Sequence, residues 1–130
     1  MSKIPLISIV DDDGVVGRAV ESFVTSIGYL ACTFTSAKAF LQSSEMAETS
    51  CLISDVQMPG LSGIELQDRL GELGLNIPMI FMTAYPDEAV RRRALGKGAV
   101  CFLHKPFDAK SLIECVENAL NTRSGKTTGD

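Results

Sequence analysis

Five short apolar runs punctuate the chain, at residues 4–10, 29–34, 51–55, 78–82 and 99–103. After each run, apolar residues recur every three or four positions. Val16, Val20, Phe23, Val24 and Ile27 form one such stripe; Ala37, Phe40 and Leu41 form the second; Ile64, Leu66, Leu70 and Leu73 form the third. Val90, Ala94 and Leu95 form the fourth, and Leu112, Ile113, Val116, Ala119 and Leu120 the fifth. The runs have the length and nearly unbroken apolarity of strands covered on both faces, and the stripes have the period of amphipathic helices. Ser36 and Asp108 are placed to cap the second and fifth helices, Pro86 suits the first turn of the fourth, and Gly28 and Gly74 suit the ends of the first and third. Strict alternation of five strands and five helices predicts an α/β fold, a doubly wound five-stranded parallel sheet with right-handed crossovers.

A parallel sheet sends the C-terminal ends of its strands to one edge, which is where open α/β folds place their chemistry. The first run ends in Asp11 and Asp12, the third in Asp55, the fourth at Thr83, and the fifth is followed by Lys105. Two carboxylates about 4 Å apart repel by roughly 4 kcal/mol at an effective dielectric near 20. Three together need more positive charge than one lysine supplies. An all-oxygen donor set without His or Cys suits a hard ion such as Mg²⁺. A divalent ion, an ammonium and a hydroxyl around a carboxylate form a receptacle for a phosphoryl group, with Asp55 as candidate nucleophile.

Composition narrows the function classes. The chain has 130 residues, the size of one domain, and is 45% hydrophobic and 22% charged. A net charge of −4 gives no basic surface for direct nucleic-acid binding. No apolar run is long enough to span a bilayer, and the Met-Ser-Lys-Ile-Pro start lacks signal-peptide architecture, so a cytoplasmic location is expected. Cys32, Cys51, Cys101 and Cys115 lie in apolar stretches with no Cys-x-x-Cys pair. They are expected to be buried small hydrophobes rather than disulfides or a zinc site. Residues 122–130 carry no apolar anchor and read as a flexible tail or the start of a linker, leaving 4–121 as the domain.

Asp11-Asp12 after an apolar strand, Asp55 before Met58-Pro59-Gly60, Thr83-Ala84, and Lys105-Pro106-Phe107 together resemble the receiver domain of two-component response regulators. The Asp-Val-Gln-Met-Pro-Gly segment and the Gly-Ala-Val-x-Phe-Leu-x-Lys-Pro-Phe pattern are most similar to FixJ/NarL-type receivers. The resemblance implies a flavodoxin-like fold with strand order 2-1-3-4-5. It implies Asp55 as phosphoacceptor, with Asp11, Asp12, Asp55 and the Gln57 backbone carbonyl around Mg²⁺. Lys105 would contact the phosphoryl group, Thr83 would move to hydrogen-bond it, and Phe102 would be the aromatic switch. The Lys105–Pro106 peptide would be cis. The implied donor is a sensor histidine kinase or phosphotransfer protein, and the output is a changed helix-four, strand-five, helix-five surface, used by partners or a second copy. No enzymatic turnover is implied beyond self-phosphorylation and autodephosphorylation, and the output includes transcription regulation.

Other residues have plainer roles. Asp13 reads as a helix cap and His104 as a surface residue. Arg91, Arg92 and Arg93 spread over about 200° of a helix and cannot form one face. Three other functions compete with that of a receiver. A haloacid dehalogenase type phosphatase also uses an aspartyl phosphate, but needs a further acidic pair after the lysine, where only Asp108, Glu114 and Glu117 follow. A receiver-like interaction module that is never phosphorylated fits poorly with five intact positions. A flavodoxin-like cofactor domain fails because Gly14 and Gly17 do not make a phosphate-binding loop.

Overall fold

The computed structural model describes residues 3–124. The elements run β1 (Leu6–Val10), α1 (Gly14–Ser26), β2 (Leu30–Phe34), α2 (Ala37–Leu41), a single 3₁₀ turn (Met46–Glu48), β3 (Cys51–Asp55), α3 (Gly63–Glu72), β4 (Met79–Thr83), α4 (Glu88–Gly96), β5 (Cys101–His104) and α5 (Ala109–Ser124). All strand pairs are parallel, in the order β2-β1-β3-β4-β5. The expected fold class and strand order are therefore observed.

Period-two alternation splits the core in two. Ile7, Ile9, Cys51, Ile53, Ile80 and Met82 pack against Val20, Val24, Leu112 and Val116 of α1 and α5. Val10, Leu52, Met79 and Phe81 face the other way, against Phe40, Leu66, Leu70 and Ala94 of α2, α3 and α4. β3 and β4 are buried throughout, whereas β2 and β5 are edge strands and stay partly open. Inside this framework Ser8 and Thr49 satisfy each other across 2.7 Å, so their buried hydroxyls are not orphaned.

Three local expectations are corrected. Leu73 is 54% exposed, because it is the C-cap of α3. The chain reverses at Gly74 (φ 75°), Leu75 N–H bonds back to Leu70 O, and Leu75 packs on the core in Leu73's stead. Pro86 lies outside α4: Asp87 is the N-cap, its carboxylate accepting from Ala89 and Val90 N–H. The cysteine expectation fails for one pair. Cys101 on β5 and Cys115 on α5 form a disulfide, with Cα atoms 5.9 Å apart, because α5 packs back along the strand. Cys32 and Cys51 are free thiols. Ser36 and Asp108 cap as expected, with Ala39 N–H to Ser36 Oγ at 3.0 Å and Ser111 N–H to Asp108 Oδ1 at 2.7 Å. α5 continues through Ser124, and residues 125–130 of the expected tail lie outside the described residues.

Candidate functional site

The strand ends converge at one edge. Asp11 follows β1 and is 1% exposed; Asp55 closes β3 at 7%; Thr83 closes β4 and is fully buried. Asp12, next to Asp11, stays exposed. One carboxylate oxygen from each of Asp11, Asp12 and Asp55 lies within 4.8 Å of the others. Lys105 Nζ reaches into the same space, 2.9 Å from Asp11 Oδ2 and 3.2 Å from Asp55 Oδ2. The Lys105–Pro106 peptide is cis, as expected, and Lys105 N–H donates to Thr83 O at 2.7 Å. β5 thus delivers the ammonium from across β4.

Local chemistry holds each acid in place. Asp11 Oδ1 accepts from Asp13 N–H at 2.8 Å, and Asp13 caps α1 by accepting from Val15 N–H at 3.0 Å. The turn after Asp55 is closed by Gly63 N–H to Val56 O and by a Ser62–Glu65 capping box at the start of α3. Only glycine fits at 63. A Cβ there would stand 2.3 Å from Asp55 O and 3.0 Å from the Phe81 ring.

Burial pushes the Asp55 carboxyl above its ordinary value, and the Asp11 charge adds to that. The Lys105 charge and hydrogen bond, with Gln57 N–H, pull the other way without cancelling it. Burial alone would lower Lys105, but its hydrogen bond and charge contact with Asp11, then Asp55, leave it raised. The site is therefore an acid-rich rim whose single ammonium does not fully compensate it. Three hard oxygen donors around that deficit fit a divalent ion such as Mg²⁺.

Other predicted residues fall close by. Thr83 Oγ1 donates to Gln57 Oε1 at 2.7 Å and accepts from Tyr85 N–H at 3.0 Å. Phe102 is half-buried on β5, its ring centroid 6.3 Å from that of Phe81, with which it is in register. His104 is exposed and in register with Thr83. The three arginines diverge: Arg91 and Arg92 pair with Glu88, and Arg93 reaches Asp68 of α3 at 3.6 Å. Lys97 also pairs with Asp68, and Gln67 Nε2 donates to Ala94 O, so the end of α4 is fastened to α3. Gly63 reads from the sequence as a turn glycine after Asp55, but its packing against the Asp55 carbonyl and the Phe81 ring, and the Gln57 side-chain contact with Thr83, leave no sequence signal.

Fold and site together define a class: a receiver with an acidic pocket at the carboxyl edge of a doubly wound sheet. Residues 7–117 match the response regulator receiver domain family, and the chain belongs to it. It is 42% identical over 115 residues to the response regulator protein TmoT of Ectopseudomonas mendocina, covering 88% of this chain and 52% of that protein. It is 36% identical over 113 residues to the transcriptional regulatory protein FixJ of Rhizobium meliloti, covering 87% of this chain and 55% of that protein. The chain thus spans about half the length of the curated relatives it matches. A crystal structure of FixJ-N superposes with TM-score 0.81 at 32% identity, covering 99% of this chain and all of that one. The response regulator StyR superposes with TM-score 0.87 at 36% identity, covering 95% of this chain and 62% of that one. The family is a signalling domain of response regulators and is not a class of catalytic enzymes. The phosphatase reading falls with that. Among the described residues no helix is long and apolar enough to cross a membrane.

Proposed function

We propose that Asp55 is the phosphoacceptor of a two-component relay and that residues 4–121 are the switching unit. The observation that carries this is Lys105 Nζ lying between Asp11 and Asp55 in a pocket of three carboxylates, with Thr83 at the adjacent strand end. Asp11, Asp12, Asp55 and the Gln57 backbone carbonyl would hold Mg²⁺. When bound, the ion supplies charge for the oxygens of the transferring phosphoryl group.

An Asp55 carboxylate oxygen forms the new bond to phosphorus as the donor's bond to phosphorus breaks, and the departing group leaves with its electron pair. Lys105 then exchanges part of its contact with Asp55 for a phosphoryl oxygen. Thr83 turns its hydroxyl to another. Moving a two-state equilibrium from 1:99 to 99:1 takes about 5.5 kcal/mol of differential interaction. Hydrogen bonds to charged groups, about 1.5–3 kcal/mol each, supply much of that from Thr83 and Lys105. Phe102 turns inward, and the α4–β5–α5 surface changes for a partner or a second copy of the chain.

The donor is a sensor histidine kinase or phosphotransfer protein of the same cytoplasmic compartment. An apolar groove of about 650 Å³ between α1 and α5, where Val15, Val16, Phe23, Phe107 and Leu112 line a space shared with Lys105, adjoins the site and would be covered by a donor reaching Asp55. The names of two relatives, the transcriptional regulatory proteins FixJ and TdiR, support transcription control as the output of the whole protein. Wild-type protein incubated with labelled acetyl phosphate and Mg²⁺ should take up label that hydroxylamine removes, and Asp55→Asn should take up none. Equal labelling of the variant would end the assignment. A wild type that binds Mg²⁺ yet never labels would make the domain a phosphorylation-independent module.

A further inference from the structure

Thr83 has one hydroxyl proton, and it is already committed. The side chain is fully buried, donates to Gln57 Oε1 at 2.7 Å and accepts from Tyr85 N–H at 3.0 Å. A hydroxyl carries a single O–H donor, so it cannot serve Gln57 and a phosphoryl oxygen on Asp55 at once. Gln57 is itself exposed, two residues beyond Asp55, yet its amide turns in to meet Thr83. The residue as a whole is open to solvent, so its inward contact is not forced by burial.

We propose that the Gln57 side chain is a positioning residue that holds Thr83 in its resting place and so sets the threshold for switching. This rests on the reading of Asp55 as phosphoacceptor. Gln57 would then act at both ends: its carbonyl would join the proposed metal set and its N–H supports the Asp55 carboxylate, while its amide restrains the hydroxyl that must move. Removing the amide acceptor leaves Thr83 with Tyr85 N–H alone and its proton unassigned, so the active arrangement is reached at lower cost.

The test uses Gln57→Met, which keeps length and removes the acceptor, and Thr83→Ala, singly and together. Beryllofluoride with Mg²⁺ stands in for the phosphoryl group. Gln57→Met should bind it roughly three- to tenfold more tightly than wild type, the range of one neutral hydrogen bond. In the Thr83→Ala background the same substitution should change affinity by less than about twofold, because no latch remains to be released. In ligand-free Gln57→Met, the Thr83 and Tyr85 amide resonances should lie part-way towards their beryllofluoride-bound positions, a readout that needs no metal. Unchanged or weaker binding in the single variant, an equal gain in both backgrounds, or resting amide positions would each overturn the proposal. Failure of the wild type to bind beryllofluoride would instead count against the phosphoacceptor reading itself.

Discussion

Replacing Asp55 with asparagine should make the metal-free domain more stable at neutral pH. Asp11 lies within 4.8 Å of Asp55, which at an effective dielectric near 20 is a repulsion of at least about 3.5 kcal/mol. Asp12 is exposed and adds only about 1 kcal/mol. Lys105, at 3.2 Å, returns about 5 kcal/mol by the same formula. The charge interactions nearly offset one another, so burial decides the sign, in keeping with the raised Asp55 carboxyl. A buried carboxylate costs several kcal/mol after relaxation. At this rim the side chain keeps 10% exposure and receives Gln57 N–H, which reduces that cost. The gain from Asp55→Asn is then about 1–2 kcal/mol, or roughly 4 °C per kcal/mol in melting temperature for a domain of this size.

The pH dependence carries the sign. A carboxyl whose folded value is raised favours the fold when protonated. Its contribution is fully present below the ordinary value of 3.8 and is lost as pH rises through the raised value. Thermal unfolding of wild type and Asp55→Asn in EDTA, at neutral pH and again near 3.8, should show a gap that closes in acid. Saturating Mg²⁺ should stabilise wild type more than the variant, by up to about 2.7 kcal/mol at a hundredfold excess over Kd. A variant no more stable than wild type at neutral pH, or a gap indifferent to acid, would show that burial of the Asp55 carboxylate does not set the sign.

Lys105→Met should destabilise the metal-free domain by about 1.5–3 kcal/mol, the worth of charged hydrogen bonds lost from buried Asp11 and Asp55, with Mg²⁺ narrowing the difference in urea melts. Gly63→Ala should cost at least about 2–3 kcal/mol by overpacking, since the new methyl meets the Asp55 carbonyl, and should slow phosphoryl uptake as well. Unfolded protein prepared without reductant should titrate two thiols, Cys32 and Cys51, and four after reduction. Native Cys51 should stay unreactive, because burial pushes its thiol up to about 12.

What could be read from the chain was what repeats or what topology forces. β1, β3 and β4 are buried on both faces, so their apolar runs are unmistakable, and parallel order then obliges Asp11, Asp55, Thr83 and Lys105 to meet. The boundaries of α3 and α4 were less legible. Leu73 and Leu75 are equally apolar, and only the reversal at Gly74 decides which one turns inward. Contacts between distant elements left no trace in any local pattern. Asp68 and Lys97 are 29 residues apart, Thr83 and Gln57 are 26 apart, and Cys101 finds Cys115 only once α5 lies along β5.

The path from the pocket to the output face is short because it is built on one side of two strands. Phe81 and Thr83 are two residues apart on β4, so both project towards α3 and α4. Phe102 is the register partner of Phe81, and its ring touches the same face. The first residue of α3, Gly63, closes against both the Asp55 carbonyl and the Phe81 ring. In the proposed switch, Thr83 leaving Gln57 for a phosphoryl oxygen empties space directly beside the Phe81–Phe102 pair. On the solvent side, Phe102 borders a shallow cavity of about 200 Å³ with Pro86, Asp87, Glu88, Arg91 and His104. One ring therefore lies between a place that opens inside and a place already open outside. Close-packed interiors do not deform continuously, so in the proposed switch the ring would move between two positions rather than over a range. Fastening the end of α4 to α3 through Asp68 and Gln67 leaves its first turn, beside that cavity, as the part free to follow the ring.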